Sequence, residues 1–325
     1  MTVLEGSDIL VTGGTGSFGQ AFTRYALDQV NPRRLIIFSR DELKQYEMRQ
    51  RFGDDPRLRW FIGDIRDDRR LLRAMHKVHY VVHAAALKQV DTAEYNPFEF
   101  VKTNVVGSQN VIEACIDTGV KKVVALSTDK ASSPINLYGA TKLTADKLFI
   151  SGNHYAAAYE TRFSVVRYGN VLGSRGSVIP FFRRLAEAGQ SLPITDLRMT
   201  RFFITLAQAV EFVVDSFDQM HGGELYVPQI PSMKITDLAQ AIAPGAPMHN
   251  SGLRPGEKLH EEMISAEEGR RSVQRGNRYI IQPDLASWGY TPPDDAVPVR
   301  PGFHYTSDKN DHWYAAQEIA DFLAE

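Results

Sequence analysis

Short, almost continuously apolar runs alternate with amphipathic stretches through the first half of the chain. The apolar runs predict strands buried on both faces, and the amphipathic stretches predict helices between them. This alternation is typical of the α/β class and predicts a doubly wound parallel sheet. The predicted strands are Asp8–Thr12, Leu35–Ser39, Arg59–Ile62, Tyr80–Ala84, Val123–Ser127 and Ser164–Tyr168, and the predicted helices include Phe18–Gln29, Leu71–His76, Phe98–Thr118 and Tyr138–Gly152.

The pattern changes after about Gly169. Glycine and proline become frequent, and irregular segments separate helices such as Val178–Gly189 and Leu206–Met220. The 325 residues suit about two domains. We therefore expect a first domain over residues 1–170 and a smaller domain over 171–325, partly interleaved with the first.

A glycine-rich segment, Thr12–Gly19, joins the first predicted strand to the first predicted helix. Its glycines let the backbone approach a pyrophosphate, which the helix N-terminus binds through unpaired N–H groups. In this position the motif predicts a dinucleotide-binding, Rossmann-type domain. The expected cofactor-binding residues are Gly13, Thr15, Gly16, Ser17, Phe18 and Gly19 in this loop, and Asp64, Ile65, Ala84, Ala85, Ala86 and Tyr168 after later strands.

The end of the second predicted strand favours NADP over NAD. NAD sites usually carry an acid there, whereas this chain has Ser39 and Arg40, with Lys44 one turn later. Arg40 and Lys44 could bind a 2′-phosphate. Asp41 and Glu42 lie beside them and weaken the inference, and for Lys44 alone a solvated helix start is as good an interpretation.

Tyr138 and Lys142 lie four residues apart on a predicted helix and so share one face. A nearby ammonium would favour the tyrosinate, which can take a proton from a hydroxyl as hydride leaves the adjacent carbon. Thr128 ends a buried strand ten residues upstream, where it could hydrogen-bond the reacting oxygen.

With the glycine loop, these three residues resemble the extended short-chain dehydrogenases/reductases. The chain is most similar to the soluble, inverting UDP-N-acetylglucosamine 4,6-dehydratases that open the pseudaminic acid pathway. The segments that carry this resemblance are Ser127–Ala131, Pro134–Lys142, Ala85–Gln89, Arg167–Val171, Gly173–Ser177, Arg198–Phe202 and Arg254–Lys258.

The resemblance implies an oxidation at carbon 4, loss of water across carbons 5 and 6, and a reduction at carbon 6. Tyr138 and Lys142 would serve the first step, with Asp129 as the acid and Lys130 as the base of the second. An apolar pocket would raise the pKa of Asp129 and lower that of Lys130. Both can act only if the loop after the strand is turned. Either Lys130 or Tyr138 could reprotonate carbon 5.

A nucleotide sugar carries a diphosphate, which arginine binds with paired donors. The resemblance makes Arg201 and Arg254 the candidates, with Glu257 placed to accept from the ribose hydroxyls. The remaining candidates are Lys88 and Asn170 near the sugar or its phosphates, and Val178, Thr195 and Met199 near the uracil.

Several classes of protein are not expected. The formal net charge of −2 argues against a nucleic-acid partner, no stretch is apolar enough for a membrane span, and no ligand set suggests a metal. The single cysteine, Cys115, fits a reducing cytoplasm. The resemblance implies a homo-oligomer, a dimer or hexamer. The alternatives are a retaining dehydratase, an epimerase, or a non-catalytic NADP sensor.

Overall fold

In the computed structural model, residues 2–173, 178–315, 318–319 and 323 are described. All six strands predicted in the first half are present, within one or two residues of their expected bounds. The strands are β1 (Asp8–Thr12), β2 (Arg34–Ser39), β3 (Leu58–Ile62), β4 (Tyr80–His83), β5 (Lys122–Thr128), β6 (Arg162–Tyr168), β7 (Asn170–Val171), β8 (Leu192–Ile194), β9 (Thr200–Ile204), β10 (Leu225–Pro228), β11 (Ser232–Lys234), β12 (Met248–Asn250), β13 (Glu262–Ile264), β14 (Ser272–Arg275), β15 (Arg278–Ile281), β16 (Val297–Pro298) and β17 (Tyr305–Thr306).

The central sheet confirms the doubly wound α/β prediction. Its order is β16-β14-β15-β10-β6-β5-β4-β1-β2-β3, and all pairs from β10 to β3 are parallel. The pairs β10–β15, β14–β15 and β14–β16 are antiparallel. From β1 the chain adds β2 and β3 on one side and then β4, β5 and β6 on the other, so the strand order switches between β1 and β4. Such a switch point opens a crevice beyond the carboxyl ends of the two strands.

Helices cover both faces of this sheet. They are α1 (Ser17–Tyr25), α2 (Glu42–Phe52), α3 (Asp68–Ala74), α4 (Val90–Tyr95), α5 (Pro97–Phe100), α6 (Gly107–Thr118), α7 (Leu137–Tyr155), α8 (Val178–Glu187), α9 (Leu206–Gln219), α10 (Ile235–Ile242) and α11 (Ala266–Gly269). The predicted helix Phe18–Gln29 is divided, because α1 continues as a π-helical turn over Ala26–Val30 and ends at Asn31, which is left-handed (φ 52°).

Three apolar clusters organise the part of the chain that is described, and the smallest includes Tyr138. The large one packs the central sheet against its helices. A second one lies among α8, α10, β8 and β9, and includes Leu192, Ile194 and Phe203. Strands β10, β14, β15 and β16 follow residue 170 in sequence yet extend the central sheet. The predicted boundary at residue 170 therefore does not coincide with an edge of that sheet.

Ser174–Ser177, the greater part of one resemblance motif, lies outside the described residues. In the described ranges, none of the helices combines the length and the apolar character needed to cross a bilayer.

Candidate active site

A cleft of about 830 Å³ opens at the carboxyl ends of β1, β2, β4 and β5. Every residue expected to bind the cofactor lines it: Gly13, Thr15, Gly16, Ser17, Phe18, Gly19, Ser39, Arg40, Lys44, Asp64, Ile65, Ala84, Ala85, Ala86, Tyr138, Lys142 and Tyr168. The sequence motifs therefore converge on one cleft of the size that ligands occupy.

The glycine loop has no room for side chains. Gly13 is left-handed (φ 66°), and a Cβ there would lie 2.8 Å from the Ala85 backbone nitrogen. A Cβ at Gly19 would overlap the carbonyl of Gly14. The loop thus turns tightly into the N-terminus of α1, and its exposed N–H groups suit a pyrophosphate. These residues fit a dinucleotide.

The edge of the cleft beyond β2 carries paired charges. Arg40 Nη1 lies 3.7 Å from Asp64 Oδ2, and Lys44 Nζ lies 2.8 Å from Asp41 Oδ2. Both cations are about half exposed. Asp41 also caps α2 by accepting a hydrogen bond from the Lys44 N–H. Each cation is therefore paired with a carboxylate, and a bound phosphate would have to compete with that carboxylate for it.

The chain turns sharply after β5, as the roles expected for Asp129 and Lys130 require. Asp129–Ala131 form a 3₁₀ turn, and the Thr128 hydroxyl donates to Asp129 Oδ1 at 2.9 Å. α7 then begins behind Asn136, whose Oδ1 accepts from the Gly139 N–H at 2.7 Å. The turn and the first residues of α7 bring Thr128, Asp129, Lys130, Tyr138 and Lys142 to the same cleft.

The Tyr138 side chain is buried, which favours the neutral phenol over the tyrosinate. Burial raises its pKa to about 12, and the cation that opposes this rise is Lys130. The ammonium that acts on this phenol is therefore that of Lys130, in addition to the Lys142 expected from the sequence. Lys142 donates to the Leu126 carbonyl at 2.7 Å, and burial lowers its own pKa.

Lys130 lies between two buried carboxylates. Its Nζ is 3.0 Å from Asp129 Oδ1 and 3.2 Å from Glu261 Oε1. Burial lowers the pKa of Lys130, but the two acids outweigh it and the net shift is upward. The predicted downward shift was therefore wrong, because the pocket around the ammonium is acidic rather than apolar. The expected rise in the pKa of Asp129 is present, and burial is its main cause.

Glu261 was missed by the sequence analysis. It lies far along the chain from Lys130, and the motif Arg254–Lys258 ends three residues before it. The segment after Arg254 contacts the chain between the 3₁₀ turn and α7: Asn136 donates to the Gly256 carbonyl at 2.8 Å, and Lys258 donates to the Ser132 carbonyl at 2.6 Å. Only the tertiary fold could have revealed this neighbour.

The predicted substrate residues divide into two groups. Lys88, Asn170, Arg201, Arg254 and Glu257 line the cleft. The other three were expected at the uracil end, but the described cleft wall does not include them: Val178, Thr195 and Met199. Met199 packs in the second apolar cluster, where Thr195 contacts its sulfur, and Val178 packs against that cluster.

The Arg201 guanidinium, which was expected to bind a diphosphate, already donates hydrogen bonds to several protein acceptors. It is buried and donates to the carbonyls of Thr200, Lys258 and Leu259 at 2.8–3.0 Å. It also lies 3.4 Å from Glu257 Oε1. These contacts stabilise the segment that carries Glu257 and Glu261. Arg254, by contrast, is exposed at the mouth of the cleft.

Histidine and acidic residues do not assemble into a metal site in the ranges that the structure describes. His83, the last residue of the central strand β4, is buried, with its ring nitrogens 2.9 Å from the Thr12 hydroxyl and 3.3 Å from the Ser108 hydroxyl.

Comparison with known proteins places this architecture among nucleotide-sugar enzymes. Residues 9–283 match a family model described as polysaccharide biosynthesis protein. A Campylobacter jejuni protein named UDP-N-acetylglucosamine 4,6-dehydratase (inverting) is 51% identical, over 99% of this chain and 98% of its own.

Two solved structures show the same fold. Pen from Bacillus thuringiensis is 37% identical and superposes with a TM-score of 0.92, covering 99% of this chain and 98% of its own. DesIV, a dTDP-glucose 4,6-dehydratase from Streptomyces venezuelae with NAD and TYD bound, is 26% identical with a TM-score of 0.70, covering 78% of this chain and 86% of its own.

Proposed function

The chain belongs to the polysaccharide biosynthesis protein family, and from this premise we propose that it is a UDP-N-acetylglucosamine 4,6-dehydratase that inverts carbon 5. Its product is UDP-2-acetamido-2,6-dideoxy-β-L-arabino-hex-4-ulose. The observation that carries the proposal is the turn that presents Asp129 and Lys130 beside Tyr138, in the cleft that the glycine loop also lines. Dehydration needs that acid–base pair in addition to an oxidising site.

The first step belongs to Tyr138, which must first lose its phenol proton and then, as the tyrosinate, removes the proton of the carbon-4 hydroxyl, with Thr128 beside it. A bound nicotinamide dinucleotide supplies the hydride acceptor and, later, the hydride donor. The ketone formed at carbon 4 acidifies the proton on carbon 5. Lys142 lies one turn further along α7, with its ammonium held by the Leu126 carbonyl.

The second step belongs to Lys130 and Asp129. Lys130 in its neutral form removes the carbon-5 proton, and the electron pair of that C–H bond forms the double bond to carbon 6. Asp129 gives its proton to the carbon-6 oxygen, which leaves as water. In the last step, a proton returns to carbon 5 from the opposite face, from Lys130 or Tyr138.

We infer NADP as the cofactor from the cations at the end of β2. Ser39 ends that strand, and Arg40 and Lys44 are half-exposed at the cleft, where a 2′-phosphate would compete with Asp64 and Asp41 for them. NAD is the alternative, and a comparison of the two affinities decides between them.

We further propose that the enzyme is a cytoplasmic homo-oligomer that provides the first intermediate of pseudaminic acid synthesis. The buried free thiol of Cys115 supports a reducing compartment. The exposed side chains of Tyr95, Phe98 and Val106 on and beside α4–α6 support self-association.

Proton NMR of the product tests the proposed reaction. The protein, incubated with UDP-N-acetylglucosamine, should yield a 6-methyl signal and coupling constants that show an inverted carbon 5. A methyl signal with retained carbon 5 would instead identify a retaining dehydratase. An epimerised sugar without a methyl signal would identify an epimerase, and bound cofactor without turnover on any UDP-sugar would identify a sensor.

A further inference from the structure

Glu261 is a buried acid at the 3₁₀ turn for which the reaction, as derived so far, has no use. Its Oε1 lies 3.2 Å from Lys130 Nζ and 3.7 Å from Arg201 Nε. Its Oε2 is buried and makes no hydrogen bond within the described residues. A structural carboxylate at this depth is expected to have both oxygens satisfied.

Glu268, in the same segment, shows what a structural acid looks like here. Its two oxygens accept from Arg167 Nη1 at 3.0 Å, and Oε2 also accepts from the backbone N–H and the hydroxyl of Ser265. Glu261 has no comparable set of donors. Its strongest contact is with the side chain assigned as the catalytic base.

The two carboxylate oxygens of Asp129 also differ in their hydrogen bonding. Its Oδ1 accepts from the Thr128 hydroxyl at 2.9 Å and from Lys130 Nζ at 3.0 Å, whereas its buried Oδ2 has no partner in the part of the chain that is described. A proton on Asp129 would therefore lie on Oδ2. That oxygen is the one left to donate to a ligand, and Asp129 lines the cleft.

The surrounding charges make it unfavourable for both acids to be ionised. Asp129 and Glu261 share Lys130 as their nearest cation, and Arg201 and Lys258 act on Glu261. Lys88 and Tyr138 also interact electrostatically with Lys130. Burial and the charge of Glu261 raise the pKa of Asp129. Burial raises the pKa of Glu261 as well, but Lys130 and Arg201 reverse this and lower it.

We propose that Glu261 is a positioning residue that takes the role of ionic partner to Lys130, and so leaves Asp129 protonated as the acid for the carbon-6 oxygen. This inference rests on the proposed dehydratase reaction. In that step the O–H bond of Asp129 breaks, a new O–H bond forms on the departing oxygen, and the C6–O bond breaks with its electron pair. Glu261 also lines the cleft, and the role proposed for it is exerted through its neighbours Lys130 and Asp129.

The pH dependence of kcat tests this role. Without the Glu261 charge, Asp129 becomes the main partner of Lys130, so its pKa falls and its acid form persists only at lower pH. In Glu261→Gln we expect the descending, alkaline limb of the profile to move down by about one pH unit. Activity at pH 7 should fall about tenfold and recover on acidification.

Two variants control for simple structural damage. Glu261→Asp keeps a carboxylate and should restore most of the wild-type profile. Glu262→Gln removes a neighbouring acid that binds Ser132 and Ser133 but not Lys130, and should leave the limb in place. A uniform loss of activity in Glu261→Gln with an unmoved limb would overturn the proposal.

Infrared spectroscopy of the protein without substrate gives an independent answer. At neutral pH the wild type should show a protonated-carboxyl C=O band that disappears in Asp129→Asn, which assigns it, and weakens in Glu261→Gln. An Asp129 band that persists unchanged in Glu261→Gln would contradict the role of Glu261. Because this measurement needs no turnover, it separates failure of this inference from failure of the proposed reaction.

Discussion

In the proposed reaction, proton transfer depends on a few side chains that lie within hydrogen-bonding distance of one another. Lys130 contacts Asp129 directly, and Thr128 is hydrogen-bonded to both Asp129 and Tyr138. Each member therefore changes the proton affinity of the next, and the raised pKa of Lys130 means that the base enters the cycle as an ammonium. Lys130 must give up that proton before it can act on carbon 5.

The role of Lys130 as base predicts the behaviour of Lys130→Ala in heavy water. General-base catalysis contributes about 10²–10⁴-fold, so deuterium entry at carbon 5 should slow by about that factor. NMR of the recovered sugar measures the exchange, and circular dichroism checks that the variant is folded. Deuterium entry at the wild-type rate would remove Lys130 from this role.

Arg40 provides the test of cofactor choice. A charge-assisted hydrogen bond contributes about 1.5–3 kcal/mol, so Arg40→Ala should weaken NADP binding by about 10- to 100-fold. NAD binding should change little, because NAD has no 2′-phosphate. Calorimetric titration of both dinucleotides measures this directly. Equal losses for NADP and NAD would show that Arg40 does not recognise the phosphate.

Among the secondary-structure elements, the chain from β5 through the 3₁₀ turn to α7 carries the residues of the proposed reaction, and the segment after Arg254 packs against it. A Cβ at Gly139 would collide with the Lys130 carbonyl, so α7 packs directly on the turn. Arg167 on β6 joins these parts, since it is 3.3 Å from Asp146 on α7 and 3.0 Å from Glu268.

Arg167 should therefore be among the more sensitive positions for stability. Arg167→Met leaves Asp146 and Glu268 without their shared cation, and loss of one partner of a buried ion pair typically costs about 3–5 kcal/mol. Urea unfolding of the variant should show a loss of that size. Arg198→Met, which removes an exposed ion pair with Asp196, should cost less than about 1 kcal/mol. Similar losses in the two variants would contradict the structural role of Arg167.

For the molecule as a whole, the sequence predicted those features that are determined by residues close together in the chain. The buried strands β1–β6, the glycine loop and the Asp129–Lys142 segment each leave a signature within a few neighbouring residues. For α2 the sequence indicated only a solvated start near Lys44, because the helix is largely polar, with only Gln45 and Met48 buried, and so shows little periodicity. The position of Glu261 beside Lys130 and the hydrogen bonds of the Arg201 guanidinium to backbone carbonyls could not be predicted. Both depend on contacts between distant parts of the chain.

The central claim is that side chains of one turn and one helix remove the proton of carbon 5 and deliver a solvent-derived proton to the opposite face of the sugar, while the hydrogen added at carbon 6 comes from the substrate itself. The most direct test is a single NMR time course with UDP-N-acetylglucosamine in heavy water. We predict a product with deuterium at an inverted carbon 5 and a methyl group free of solvent deuterium. A product that retains protium at carbon 5, or that carries solvent deuterium in the methyl group, would contradict the account.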